Sequence, residues 1–341
     1  MGEVVGAGLL AHVPTIMLPE AVRHELYGPG DTTLVQGLYD LRREVFDTLD
    51  YDTVVVLDSH WFTTVEFVVT AQDRRAGLFT AEELPRGMCR VPYDWRGDPE
   101  LAHAHAAAAD AHGTWITAND DPYLPMYYPM LNMWKFLGEG VGASGSGLGE
   151  GLDPGRDKRW IAVSVAQTGD REDFLRAGRA LGDAIAATDR KVILIASGAL
   201  SHTFWKLRQL RDHEAAAPEH IHTPEAYQAD LQRLEWFAAG DHARVLATMD
   251  EFMPYRPEAM FAHYLMMAGA LGESDLTAPS RQYGEYENSI GTGQVHLWFD
   301  RPEGGFPSPH RTEIDADTLR QKAALSGTDP AAPTVDLPAA G

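Results

Sequence analysis

The sequence holds one cysteine, Cys89, in 341 residues, so it cannot form an internal disulfide, a cysteine-based zinc cluster or an iron–sulfur site. Any metal must rest on histidine and carboxylate. No stretch approaches the roughly 18 uninterrupted apolar residues of a membrane span. The opening MGEVVGAGLLAHVPTIMLPE lacks the basic start of a secretory leader and is interrupted by His12, Pro14 and Pro19, so the cytoplasm is the expected compartment. Basic residues are in short supply. Against 50 Asp and Glu there are 28 Lys and Arg, a net charge of −22 that repels nucleic-acid phosphates and anionic lipid surfaces. Neither nucleic acid nor membrane is an expected partner. A small anionic substrate stays open, because salt screens a distant field over roughly 8 to 10 Å and a few local cations decide a pocket. The HExxH, GxSxG and Walker patterns are missing, and no Rossmann fingerprint appears, because the glycines of 140–151 follow no strand and open no helix.

What is present is the composition of a folded enzyme-sized body, with 44% hydrophobic and 23% charged residues. Apolar runs at 4–10, 53–57, 160–166 and 192–196 predict strands, and their continuity predicts burial on both faces by helices such as 34–49, 99–111 and 173–187. Three of these runs lead into a short polar stretch with a histidine: His12, His60 and His202. The pattern predicts a single α/β domain over 1–300, with a central mixed, mostly parallel sheet flanked by helices. Its active site is expected at the carboxyl ends of the strands. The Gly/Ser-rich stretch 138–158 reads as a loop inserted in that domain, and its glycines follow no strand, so they make no phosphate cradle. Helices are expected at 224–238, at 243–251 and from 259 to Gly272, with a late strand at 291–299. Residues 301–341, rich in Pro, Ala, Asp and Ser with one weak helical pattern at 315–325, form an expected peripheral tail.

Neutral imidazole is the commonest protein metal ligand, and two imidazoles with one carboxylate leave positions open on Fe(II) for substrate and oxygen. His12, His60 and His202 are set apart from the other histidines because each follows an apolar strand. His103 and His105 lie in an Ala-rich helical stretch where i,i+2 side chains diverge, and His220 and His222 lie in a polar loop. Both pairs read as structural or solvated.

The segments LLAHVPTIMLPE, VVVLDSHWFTT, LIASGALSHTFW and SIGTGQVHLWF, in this order, resemble the class III extradiol ring-cleavage dioxygenases. Within that superfamily, typified by the protocatechuate 4,5-dioxygenase β subunit, they resemble the homoprotocatechuate 2,3-dioxygenase and 3-O-methylgallate dioxygenase group. The resemblance implies a non-haem Fe(II) held by His12, His60 and Glu258, with Glu251 as the fallback carboxylate. It gives His202 the role of a general acid/base beside the ring, which suits an imidazole that titrates near neutrality. Where many members carry a second active-site histidine, the stretch NDDPYLPMYYPMLNMW places Tyr127, or with a shifted placement Asp120. The segment 283–294 is expected to line or support the pocket. The implied reaction inserts both atoms of O₂ into a catechol, one with a carboxylate side chain, and opens the ring next to the diol. Arg256, Arg281 and His296 are candidates to meet that carboxylate, and a homo-oligomer is implied. Two other readings compete on the same fold: a zinc hydrolase or lyase using the same His/His/Glu site, and a binding protein without turnover.

Overall fold

In the computed structural model the described residues are 1–27, 31–82, 87–138, 158–214, 217–310 and 317–318. The expected insertion at 138–158 lies outside them except for its two ends, as does most of the tail beyond His310. Ten strands join in one sheet: β1 Glu3–Leu10, β2 Thr53–Thr63, β3 Phe67–Thr70, β4 Arg74–Phe79, β5 Val91–Arg96, β6 Ile116–Asn119, β7 Arg159–Ala166, β8 Lys191–Ser197, β9 Ser280–Ser289 and β10 Thr292–Asp300. Their order is β4-β5-β7-β2-β8-β1-β10-β9, with β3 beside β7 and β6 beside β3. The centre, β7-β2-β8-β1, is parallel throughout. This is the mixed, mostly parallel α/β sheet the apolar runs predict.

Period-two alternation in those runs divides their side chains between two cores. Val55 and Leu57 of β2 and Leu194 and Ala196 of β8 enter the core that holds Phe174, Leu181, Leu265 and Met266 of the helices Arg171–Ala187 and Ala262–Ala270. Val54, Val56, Ile193 and Ile195 enter the opposite core, with Leu34, Leu38 and Leu41 of the helix Thr33–Leu41 and Met130 and Leu131 of the helix Tyr128–Met133. A strand buried on both faces carries no polar side, which is why these four read as unbroken apolar runs.

The other strands were less visible. β4 is largely exposed, β9 is mostly polar, and β3 and β6 are four residues each, too short for a period to declare itself, whereas β10 falls where the late strand was expected. Helix ends also differ from expectation. The segment 243–251 breaks into His242–Ala247 and Met249–Phe252, and the helix expected from residue 259 begins only at Ala262. Among the described residues no helix is long and apolar enough to cross a membrane.

Candidate active site

Because β2, β8 and β1 are parallel neighbours, their carboxyl ends lie side by side and deliver three histidines to one place. His12 follows β1 directly. Its Nδ1 lies 3.0 Å from Ser197 Oγ at the end of β8, and its carbonyl accepts from Asn132 Nδ2 at 2.9 Å. An Nδ1–H donated to Ser197 leaves the Nε2 lone pair for a cation.

His60 lies inside β2, which runs on past its expected end at Leu57. Leu57 pairs with Val163 and Phe62 with Val165, so residues 58–61 bulge opposite Ser164. Such a bulge re-aims side chains. Asp58 pins it, accepting the backbone N–H of His60 at 2.9 Å and of Trp61 at 3.1 Å. Burial pushes the Asp58 carboxyl up to about 6.

Glu258 owes its position to backbone that side-chain-bearing residues seldom adopt. Arg256, Ala259, Met260 and Phe261 have φ of 50°, 49°, 58° and 63°, where an L-residue costs roughly 1–2 kcal/mol. The left-handed turn replaces the first turn of the expected helix, so Glu258 is not a carboxylate placed to meet a helix dipole. Its N–H donates to Leu200 O at 3.2 Å, and its side chain turns to the strand ends. Oε1 accepts from Ser59 Oγ at 2.6 Å and Oε2 from the Ala199 N–H at 2.6 Å. Oε1 lies 3.2 Å from His12 Nε2 and 3.9 Å from His60 Nε2.

The turn after β8 supplies His202, with Nε2 3.8 Å from Glu258 Oε2. Gly198 is required in this turn, since a Cβ there would sit 2.6 Å from the buried His263 ring. Asp230 fixes its far side, accepting the Ser201 N–H at 3.0 Å, the Ser201 hydroxyl at 2.6 Å and the Tyr286 hydroxyl at 2.6 Å.

Ligand atoms of His12, His60 and Glu258 lie within 4.8 Å of one another, the one such group of three among the described residues. Burial raises the Glu258 carboxyl, but His12, His202 and His60 outweigh it and hold it well below the usual carboxylate range. Burial lowers His60 to about 4 and also lowers His202, with Glu258 partly opposing both. A buried anionic carboxylate facing imidazoles that burial keeps neutral, as at His60 and His202, is the protonation state metal binding needs, and a divalent cation would compensate its charge. The donor set fits a metal.

These residues open onto a cavity of about 660 Å³, also lined by Pro14, Tyr128, Phe204, Leu207, Arg211 and Ile290. The segment 283–294, expected to line or support the pocket, is most of strand β9 and its hairpin to β10. It turns through Ile290 and Gly291, both at positive φ, and contributes Ser289, Ile290, Thr292 and Gln294 to the wall. Tyr127 is not brought to the cavity. Preceding a helix, it lies with its ring stacked on Trp61 at 6.2 Å, while Tyr128 reaches the site with its hydroxyl 2.6 Å from His60 Nε2. Asp120 is exposed away from the cavity, and Glu251 lines a separate surface groove.

None of the three expected anion contacts lies on the wall. Arg281 pairs with Asp300 at 2.7 Å, His296 accepts the Ala11 N–H at 3.2 Å, and Arg256 is exposed. His105 is buried against Ala177 O while His103 is exposed, so that pair diverges as helical spacing requires. Ser59, Ser197, Asn132, Tyr128 and Arg211 were not singled out from sequence. The two serines had a signal: each lies inside a histidine motif, SHW and SGALSH.

Residues 6–299 match the family described as the catalytic LigB subunit of aromatic ring-opening dioxygenase. The chain belongs to this family. Its members are the class III extradiol dioxygenases that the four motifs implied, and all of the candidate site residues fall within the matched span. The chain is 26% identical over 281 residues to 3,4-dihydroxyphenylacetate 2,3-dioxygenase of Escherichia coli, covering 80% of this chain and 91% of that protein. It is 22% identical over 319 residues to the 2-aminophenol 1,6-dioxygenase beta subunit of a Pseudomonas species, covering 89% of this chain and 96% of the relative. Among solved structures, an uncharacterized protein of Escherichia coli K12 superposes with a TM-score of 0.53 at 14% identity, over 86% of this chain and 99% of that one. That likeness is one of fold.

Proposed function

We propose that the protein is an Fe(II)-dependent extradiol dioxygenase that opens a catechol ring next to its diol, with residues 1–300 as the catalytic domain. The observation that carries this reading is the convergence of His12, His60 and Glu258 on one end of a cavity that also presents His202. Fe(II) on two imidazoles and a carboxylate supplies open positions for a catechol and O₂. The chain's own residues do the rest. Ser59 and the Ala199 N–H hold both oxygens of Glu258, so the carboxylate cannot rotate away when substrate enters. His202, kept neutral by burial, is a base for one catechol proton and an acid that returns it. Tyr128, whose hydroxyl meets His60 Nε2, lines the cavity and can donate its O–H to the bound ring once a metal takes the His60 lone pair. Val13, Pro14, Phe204 and Ile290 cover the ring and exclude water. The 3,4-dihydroxyphenylacetate dioxygenase relative favours a catechol with a carboxylate arm.

The test is oxygen uptake by anaerobically Fe(II)-loaded protein across a catechol panel, with absorbance followed for a yellow ring-opened semialdehyde. One O₂ consumed per catechol, lost in His12→Ala, is expected. Stoichiometric zinc binding with no oxygen uptake on any catechol would overturn the reading in favour of a zinc hydrolase or lyase.

A further inference from the structure

One part of the cavity wall, the segment from Phe204 to Glu214, carries none of the residues assigned above to the metal or to proton transfer. Phe204, Leu207, Leu210, Arg211 and Glu214 all line the cavity from it. Phe204 and Leu207 keep 48% and 86% of their surface exposed, apolar area that a bound molecule would cover. Arg211 is the one Lys or Arg side chain on this cavity among the described residues, and its guanidinium has no hydrogen-bond or ion-pair partner among them. In a chain with 50 acidic and 28 basic residues, an unpaired cation facing a cavity is a position with a strong demand for an anion.

The segment is held from both sides. Trp205 N–H donates to Ile290 O at 3.2 Å, Ile290 N–H to His213 O at 2.6 Å, and Ser289 Oγ to Glu214 O at 2.8 Å. The Trp205 ring stacks on His213 at 4.0 Å, fixing the turn Leu210–His213 that carries Arg211. A cation on a clamped turn is preorganised, so little ordering cost offsets its contact with a ligand.

We propose that Arg211 is a specificity-determining residue that binds a single carboxylate on the substrate's side arm and so directs the diol inward. The inference rests on the dioxygenase reading and adds the residue that selects among catechols. Charge sets the orientation. Fe(II) at the ligand end would take the two diol oxygens, which leaves Arg211 as the cation for the arm's carboxylate, and Glu214 on the same segment repels a second. Between the ends, Phe204, Leu207 and Leu210 offer apolar surface to an aliphatic arm. A bare benzenediol would leave much of a 660 Å³ cavity empty, since sites of about 300–1,000 Å³ suit larger, drug-sized ligands.

The experiment is an anaerobic binding titration of Fe(II)-loaded protein with 3,4-dihydroxyphenylacetate and 4-methylcatechol, followed by oxygen uptake on both. Arg211→Gln is expected to weaken binding of the carboxylated catechol about tenfold and to leave the methyl compound within about twofold, with Arg211→Lys between. Equal weakening of both ligands marks a structural role and overturns the inference, as does no change in either. Those two results leave the dioxygenase reading standing if the wild type consumes oxygen. Wild-type protein that neither binds nor oxidises any catechol overturns both.

Discussion

Tyr127 and Tyr128 are adjacent, chemically identical and differently employed. An ungapped placement on a family pattern cannot choose between them, because that choice depends on which way the chain turns as it enters a helix. The extended backbone at Tyr127, φ −112° and ψ 153°, sends its ring to Trp61, and the next residue, opening the helix, points to His60. Removing the hydroxyl separates the two. Tyr128→Phe loses a hydrogen bond worth about 1 kcal/mol at the site, so kcat/KM on the best catechol is expected to fall roughly fivefold to tenfold. Tyr127→Phe keeps its stacked ring and is expected to stay within about twofold. Steady-state oxygen uptake by the two variants checks the assignment, and a reversed order would return the role to Tyr127. Ser59 and Ser197 teach the same lesson from the other side. Both were in view as parts of histidine motifs, but which atom each would touch depends on the end of a neighbouring strand.

Elements built from local sequence were legible, and those built from tertiary constraint were not. The strands ending at His12, His60 and His202 announced themselves because burial on both faces demands an unbroken apolar run, and the doubly covered sheet followed. The bulge at 58–61 did not, since the residues opposite it lie about a hundred positions away on β7. Nor did the left-handed turn at Glu258. By propensity Ala259, Met260 and Phe261 continue the helix, and only the geometry that brings Glu258 to the strand ends overrides them. The carboxylate itself was identified by resemblance, not by any periodic pattern. Arg256 lets the turn be tested without touching the site: it is exposed, has φ of 50°, and lies off the cavity wall. Glycine suits that backbone, so Arg256→Gly is expected to stabilise the protein by about 0.5–1 kcal/mol while KM for a carboxylated catechol stays unchanged. If Arg256 instead met the substrate's anion, KM would rise, and if it stood in an ordinary helical or extended conformation, stability would fall. Urea midpoints and substrate titrations on this one variant distinguish the three.

The whole molecule stakes its stability on keeping histidines neutral. Of 14 histidines, His105 and His242 lie in the core away from the candidate metal ligands, and burial pushes each down to about 4. His242 donates Nε2–H to Ala278 O at 2.9 Å and lies 3.0 Å from the Tyr264 hydroxyl, while His105 meets Ala177 O at 3.1 Å. A native pKa of about 4 against about 6.5 in the unfolded chain means that acid protonates the unfolded form first. Stability is therefore complete above about pH 6.5 and declines as the pH falls toward 4, by up to about 1.4 kcal/mol per pH unit for each histidine. Between pH 7 and 5.5 the pair removes about 2 kcal/mol on this scale. An opposing effect exists, because a chain of net charge −22 repels itself and gains from protons taken up at its surface. Most carboxylates remain ionised at pH 5.5, so that relief comes mainly from exposed histidines and is screened by salt. The buried groups should win. Urea midpoints in 0.15 M salt are expected to fall steadily from pH 7 to 5.5, and His242→Gln to remove its own share of that fall, about 1 kcal/mol, while lowering stability at pH 7. A midpoint that rises on acidification would mean that surface repulsion, not the neutral core histidines, governs how this fold responds to pH.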